Sequence, residues 1–186
     1  MYTHSRRLLL TASAAMAVFT LPAAARAQML EPIRVTAEAR EQAEKLDAEA
    51  QSYEKNDWSQ LKKAAGLRER AAELRAADDP DGSVSLYWAA RDRYYSGDPR
   101  SARVLMEASA NRALAMGDVL NAVTAYTEAA YISADLKDGE RMRTLAGKAR
   151  LLSASPMLTE DQRYQLRTRL GRSDAPVGVV ASLTKP

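Results

Sequence analysis

The sequence has no cysteine, one histidine and one phenylalanine in 186 residues. His4 and Phe19 both fall in the first 27 residues, so the remainder contains neither. Without thiol or imidazole, that remainder cannot build a Cys/His zinc site, attach haem through Cys-x-x-Cys-His, or use a histidine-activated nucleophile. An excess of one charge is missing too. Of the 27 basic residues, Arg6, Arg7 and Arg26 stand in that acid-free leading stretch, and the other 24 face 24 acids. A balanced chain gives little support to nucleic-acid binding, which draws on phosphate neutralisation. The sequence also lacks a glycine-rich phosphate loop, a nucleophile elbow and a metal-spaced cluster. No cofactor and no metal is expected, and the reading is of a protein that is not an enzyme. The remaining enzymatic route is a pair of carboxylates converging in a cleft, as in a glycosidase, and no spacing singles out such a pair.

The leading stretch reads as a signal peptide, residues 1–27. Arg6 and Arg7 precede an apolar run from Leu8 to Leu21, Pro22 breaks it, and Ala25-Arg26-Ala27 supplies a small-x-small cleavage site. The run is about 14 residues, short of the roughly 20 that a spanning helix needs. Ser5-Arg6-Arg7 followed by leucines resembles a twin-arginine export signal. No cysteine follows to carry a lipid. A periplasmic or secreted protein is expected, cut after Ala27, with no stable membrane anchor after cleavage. Residues 28–35 read as a flexible arm, and 172–186, rich in Gly, Pro, Ser and Ala, as a flexible C-terminal tail.

Alanine dominates what is present, with 28 in the 159 residues after the signal, and Leu, Glu, Arg and Lys fill most of the rest. These are the strongest helix formers, because they lose little rotamer freedom on helix formation. Breaks organise the stretch: Asn56-Asp57, Asp78 to Gly82, Gly97-Asp98-Pro99, Gly117-Asp118, Lys137-Asp138-Gly139 and Ser155-Pro156, at intervals of about 20 residues. Gly97 and Gly117 suit the left-handed end of a helix, Asp98 and Asp118 the cap of the next, and Pro99 a first helical position. Thr159 with Gln162 forms a capping box. The spacing predicts seven helices, near 36–55, 57–77, 83–96, 99–116, 118–136, 138–154 and 159–171. Apolar residues recur every three or four positions, as at Ala102, Leu105 and Met106, or at Val119, Ala122, Val123 and Tyr126. The fold class is therefore all-α, with sequential helices antiparallel because their connections are short.

Two helices per unit make a period of about 40 residues, the range of helical arrays. Ala90, Gly97-Asp98, Ala102 and Met106 form one copy. A second follows Ala130 with Lys137-Asp138, Met142, Ala146 and Ala149, and a third follows Tyr53 with Asn56-Asp57, Leu61 and Ala65. This pattern resembles the tetratricopeptide family over residues 38–153. The resemblance implies about three helix hairpins in a right-handed superhelix, with 159–171 as a C-terminal capping helix and 36–171 as one repeat domain. The period exceeds the family's 34 residues and Glu49 stands where a small residue is expected, so a looser array or an irregular helical bundle stays open.

In such an array the first helices of the hairpins line a concave surface. The family's groove positions fall on Tyr87, Arg91, Tyr94 and Tyr95 of the third helix, on Thr124, Thr127, Tyr131 and Asp135 of the fifth, and on Tyr53 of the first. Tyr87, Arg91 and Tyr94 at i, i+4 and i+7 share one helix face. Tyrosine and arginine combine large contact area with a polar handle and are enriched where proteins meet. Packing of these tyrosines and of Trp88 between helices is the equally weighted alternative. Registering Gly82 as the sixth residue of a calcium loop puts Ala77 first and Trp88 twelfth, which fails, so Asp78–Gly82 reads as an acidic turn capping the third helix. Glu41, Glu44, Lys45, Glu49, Lys62, Lys63, Arg68 and Glu69 alternate in sign, as on solvated helix faces. The expectation is an exported, non-catalytic module binding a protein or peptide in a tyrosine-lined groove. The alternative is a structural envelope subunit that self-associates through its alanine-rich faces.

Overall fold

The computed structural model describes residues 36–173. The signal peptide, its cleavage site, the 28–35 arm and residues 174–186 of the tail lie outside the described residues. Seven α-helices follow in order: α1 (Ala37–Asn56), α2 (Leu61–Leu74), α3 (Pro80–Tyr95), α4 (Pro99–Ala115), α5 (Val119–Asp135), α6 (Gly139–Ser153) and α7 (Glu160–Ser173). A 3-10 turn, Trp58–Gln60, joins α1 to α2. Of the described residues 84% are helical and none is in a strand, so the chain is all-α, an array of antiparallel hairpins with each helix packed on its neighbours. Among the described residues no helix is long and apolar enough to cross a membrane.

One junction is used three times. Gly97, Gly117 and Lys137 all take the left-handed conformation, with φ of 87°, 77° and 59°. Each is followed by an aspartate whose amide reaches back to close the preceding helix, Asp98 to Arg93 carbonyl, Asp118 to Ala113 and Asp138 to Ser133, at 2.8 to 2.9 Å. The aspartate side chain then caps the next helix, accepting from the amides of Ser101, Asn121 and Arg141, each at 3.1 Å. The capping box also forms: Thr159 amide donates to Gln162 Oε1 at 2.8 Å, and Gln162 amide to Thr159 Oγ1 at 3.2 Å.

Three helices differ in their bounds from the sequence reading. The third helix starts at Pro80 rather than at 83, because Asp79 accepts from the Asp81 amide and Pro80 occupies the first helical position. The second starts as a 3-10 turn capped by Asp57 and ends at Leu74, where Arg75 turns extended. The last helix runs to Ser173, two residues into the expected tail.

Alanine is the packing material. Ala43, Ala50, Ala64, Ala65, Ala89, Ala90, Ala110 and Ala129 have no exposed surface, which lets helix axes approach closely. These alanines are covered inside the array. Larger apolar side chains concentrate from α3 onward, where Met106, Val123, Tyr126, Leu145, Leu158, Leu166 and Leu170 share one core. Polar ties then place odd helices on one side and even helices on the other. Arg40 to Asp79 and Asp47 to Ser85 join α1 to the start of α3, and Tyr94 to Asp135 joins α3 to α5. On the even side Arg112 of α4 donates to the Ala72 and Ala76 carbonyls at the end of α2. Arg141 of α6 pairs with Glu107 of α4.

Candidate functional site

The site is built on α3. Its buried side carries only small residues, Gly82, Ser83, Ser85, Ala89 and Ala90, and one acid, Asp92. All its aromatic residues are therefore turned to the other side or the flanks. Tyr87, Arg91, Tyr94 and Tyr95 are half-buried and Trp88 is 37% exposed. Arg91 lies over the Trp88 ring at 4.7 Å and over Tyr95 at 5.8 Å, so the guanidinium stacks within an aromatic surround. Tyr87 meets Trp88 edge-on with centroids 5.8 Å apart, and Tyr94 meets Tyr95 in the same way at 5.6 Å. Trp58, 41% exposed on the 3-10 turn, extends the surface by packing on Tyr95 at 5.9 Å.

Tyr94 connects this surface to α5. Its hydroxyl donates to Asp135, and burial, with that bond next in weight, pushes the phenol up to about 12. Glu128 adds negative charge near the same tyrosine. Tyr131 and Thr124 are half-buried on α5, the Thr124 hydroxyl donating to the Leu120 carbonyl at 2.9 Å. Thr127 is a correction to the expected groove: it is 4% exposed and its hydroxyl is consumed by the Val123 carbonyl at 2.8 Å, so no ligand reaches it. Tyr53 is occupied within its own hairpin, accepting from Lys63 Nζ at 2.5 Å and donating to Glu49 at 3.2 Å. The structure thus brings together Tyr87, Arg91, Tyr94, Tyr95 and Asp135, with Tyr131 and Thr124 farther along α5.

Beneath Trp88 lies a buried ionic cluster. Arg68 sits 5.6 Å from that ring, 6% exposed, and is held by Glu54 at 2.5 Å, with Asp47 at 3.6 Å and Asp92 at 3.7 Å. Arg75 pairs with Asp47 at 2.5 Å and donates to Ser85 Oγ at the same distance. Arg68 is therefore not on a solvated face. Its position follows Leu61, Ala64 and Ala65 and precedes Ala71 and Ala72 in the buried stripe of α2. Asp47 and Glu54 extend the Ala43–Ala50 stripe of α1 at four-residue steps. Those in-stripe charges, together with Trp58, are what the sequence reading passed over. Glu69 likewise pairs across helices, with Arg93 at 2.8 Å.

A second opening, about 630 Å³, lies on the even-helix side among Glu69, Arg93, Arg103, Val104, Leu136 and Asp138. Two of its three arginines are already engaged, Arg93 by Glu69 and Arg103 by Asp138 at 2.7 Å, and the third is Arg100. Among the described residues, no group of three or more His, Asp or Glu side chains is arranged to hold a metal ion. Compared with known protein families, curated proteins and solved structures, the chain matches none.

Proposed function

We propose that this protein is an exported, tetratricopeptide-like helical module whose α3–α5 face binds a protein or an extended peptide, without a catalytic step of its own. The observation that carries this reading is the concentration of partly exposed aromatic residues around Arg91 on one helix whose opposite side is almost bare of large side chains. Aromatic residues and arginine dominate binding energetics where they are rigid and partly desolvated. Here ring–ring and cation–π contacts hold them in place before a ligand arrives, which lowers the ordering cost of binding. The Tyr94–Asp135 bond fixes the α3 surface against α5, so the two helices present one continuous platform.

The molecule supplies its own probe. Its two tryptophans, Trp58 and Trp88, both stand on this face. A pull-down from envelope extract should capture a partner with the native chain and lose it with a Tyr87→Ala/Tyr94→Ala variant of unchanged helicity. Peptides tiled from that partner should shift the tryptophan emission of the native chain. A partner held equally by both chains, or captured with no emission change, moves the site off α3. Amino-terminal sequencing of exported protein should read Gln28 first; an intact leader on soluble exported material overturns the assignment of residues 1–27.

A self-associating subunit is the second reading. Leu151, Met157 and Tyr164 near the α6–α7 end are 77%, 67% and 67% exposed, an apolar set left uncovered by the array. A mass that grows with concentration, and falls back in a Leu151→Glu/Met157→Glu variant, would favour it.

A further inference from the structure

The interface of α1, α2 and α3 contains an uneven number of charges. Asp47 and Glu54 of α1 and Asp92 of α3 supply three carboxylates, and Arg68 of α2 with Arg75 just past its end supply two guanidiniums. Arg91, the remaining cation beside Asp92, belongs to the same helix and is directed over Trp88 and Tyr95. With every acid ionised, the two guanidiniums inside the interface leave one carboxylate to be offset by Arg91 alone, from the aromatic side of the helix, a costly state in a poorly solvated interior.

The hydrogen bonds identify which acid is in excess. Arg68 Nε gives its hydrogen to Glu54 Oε1 at 2.6 Å and stands 3.7 Å from Asp92 Oδ2, too far to bond it. Asp92 Oδ2 is buried and receives no hydrogen bond from any described residue. The Glu54 carboxyl, held by the same Arg68, is the acid whose charge bears on Asp92. Two ionised carboxylates have no donor between them, whereas one protonated partner makes a strong charge-assisted bond.

We propose that Asp92 keeps a proton at neutral pH and shares it with Glu54, and that losing it in mild alkali loosens the α1–α2–α3 interface and disturbs the Trp88 surface above. Burial first, and then the charge of Glu54, push the Asp92 carboxyl up to about 8 against the opposing pull of Arg68 and Arg91. The folded chain therefore holds this proton more tightly than the unfolded chain, where an aspartate titrates near about 3.9. Stability from the site is complete below about pH 4, declines as pH rises through neutrality, and is gone above about pH 8. The device stands independently of whether the α3 face binds a peptide.

The absence of histidine and cysteine after residue 27 leaves the window between about pH 6 and pH 8 nearly free of other titrating side chains. Urea unfolding of the full chain, followed by tryptophan emission, should give an unfolding constant that rises between about tenfold and a hundredfold from pH 6 to pH 8, then levels off. Asp92→Asn, which mimics the neutral acid in both states, should remove that slope, match the native chain at about pH 4 and be the more stable of the two at about pH 6 and above. An unchanged slope in Asp92→Asn, or a flat native profile, overturns the proposal. Infrared spectra of the native chain provide a reading that needs no variant: a protonated-carboxyl band should be present at pH 6 and lost by pH 9, and its absence at pH 6 also overturns it.

Discussion

At the scale of single residues, two positions are decided by the space or the backbone angle around them. Gly82 lies in the first turn of α3, and alanine is ordinarily the better helix former, by up to about 1 kcal/mol in a helix interior. A Cβ there would collide with Arg112 Cζ, because that guanidinium reaches across α3 to the end of α2. Arg112 closes α2 in place of a glycine cap, and its burial lowers its affinity for the proton it carries. Gly82→Ala should therefore destabilise the fold by about 1–3 kcal/mol through the carbonyl bonds it breaks. In an Arg112→Ala background the same change should become neutral or favourable, which a double-mutant cycle of denaturation midpoints will show. Lys137 occupies a left-handed position that glycine fills at the two equivalent junctions. Lys137→Gly should raise stability by up to about 1 kcal/mol, read as a higher melting temperature.

At the scale of elements, the junctions were legible because their chemistry is local. A left-handed position, a capping aspartate and, at one of them, a proline all lie within three positions, so the starts of α4, α5 and α6 could be read directly. The start of α3 was missed by three residues because Asp78 to Gly82 looks like a turn until Asp79 is seen to cap and Pro80 to lead the helix. The aromatic face of α3 was legible for the same local reason, an i, i+4, i+7 spacing. Its burial-dependent members were not. Thr127 and Arg68 are covered by side chains from other helices, and Arg68 meets partners 14, 21 and 24 positions away. The caps also predict behaviour in acid. Bonds from Ser59, from Ser101 and from the Arg141 amide hold the Asp57, Asp98 and Asp138 carboxyls below the usual carboxylate range. Their stabilisation is present above about pH 4 and lost as pH falls through their lowered values. Helical circular dichroism should decline between about pH 4 and pH 2, and a Ser101→Ala variant should begin to decline at a higher pH.

Across the molecule, the described array is held by two kinds of interior. From α3 to α7 the helices share an apolar core, whereas α1 and α2 are joined to α3 by alanines and the Arg68–Arg75 cluster. Because such arrays are stabilised neighbour by neighbour, the two parts can respond separately to conditions. Amide exchange protection of α1 and α2 should fall as pH is raised from about 6 to about 8.5, while α5 keeps its protection. Equal losses in both parts would show that the array opens as one unit. The junctions impose one further constraint, on the chain's history. Positions 97, 117 and 137 are evenly spaced, and each junction reverses the direction of travel. Inserting or deleting a single helix between α3 and α5 would exchange odd for even beyond it and carry Asp135 to the side away from Tyr94. Lineages that keep the α3–α5 platform can therefore change length by one helix at either end of the array, but not between these two.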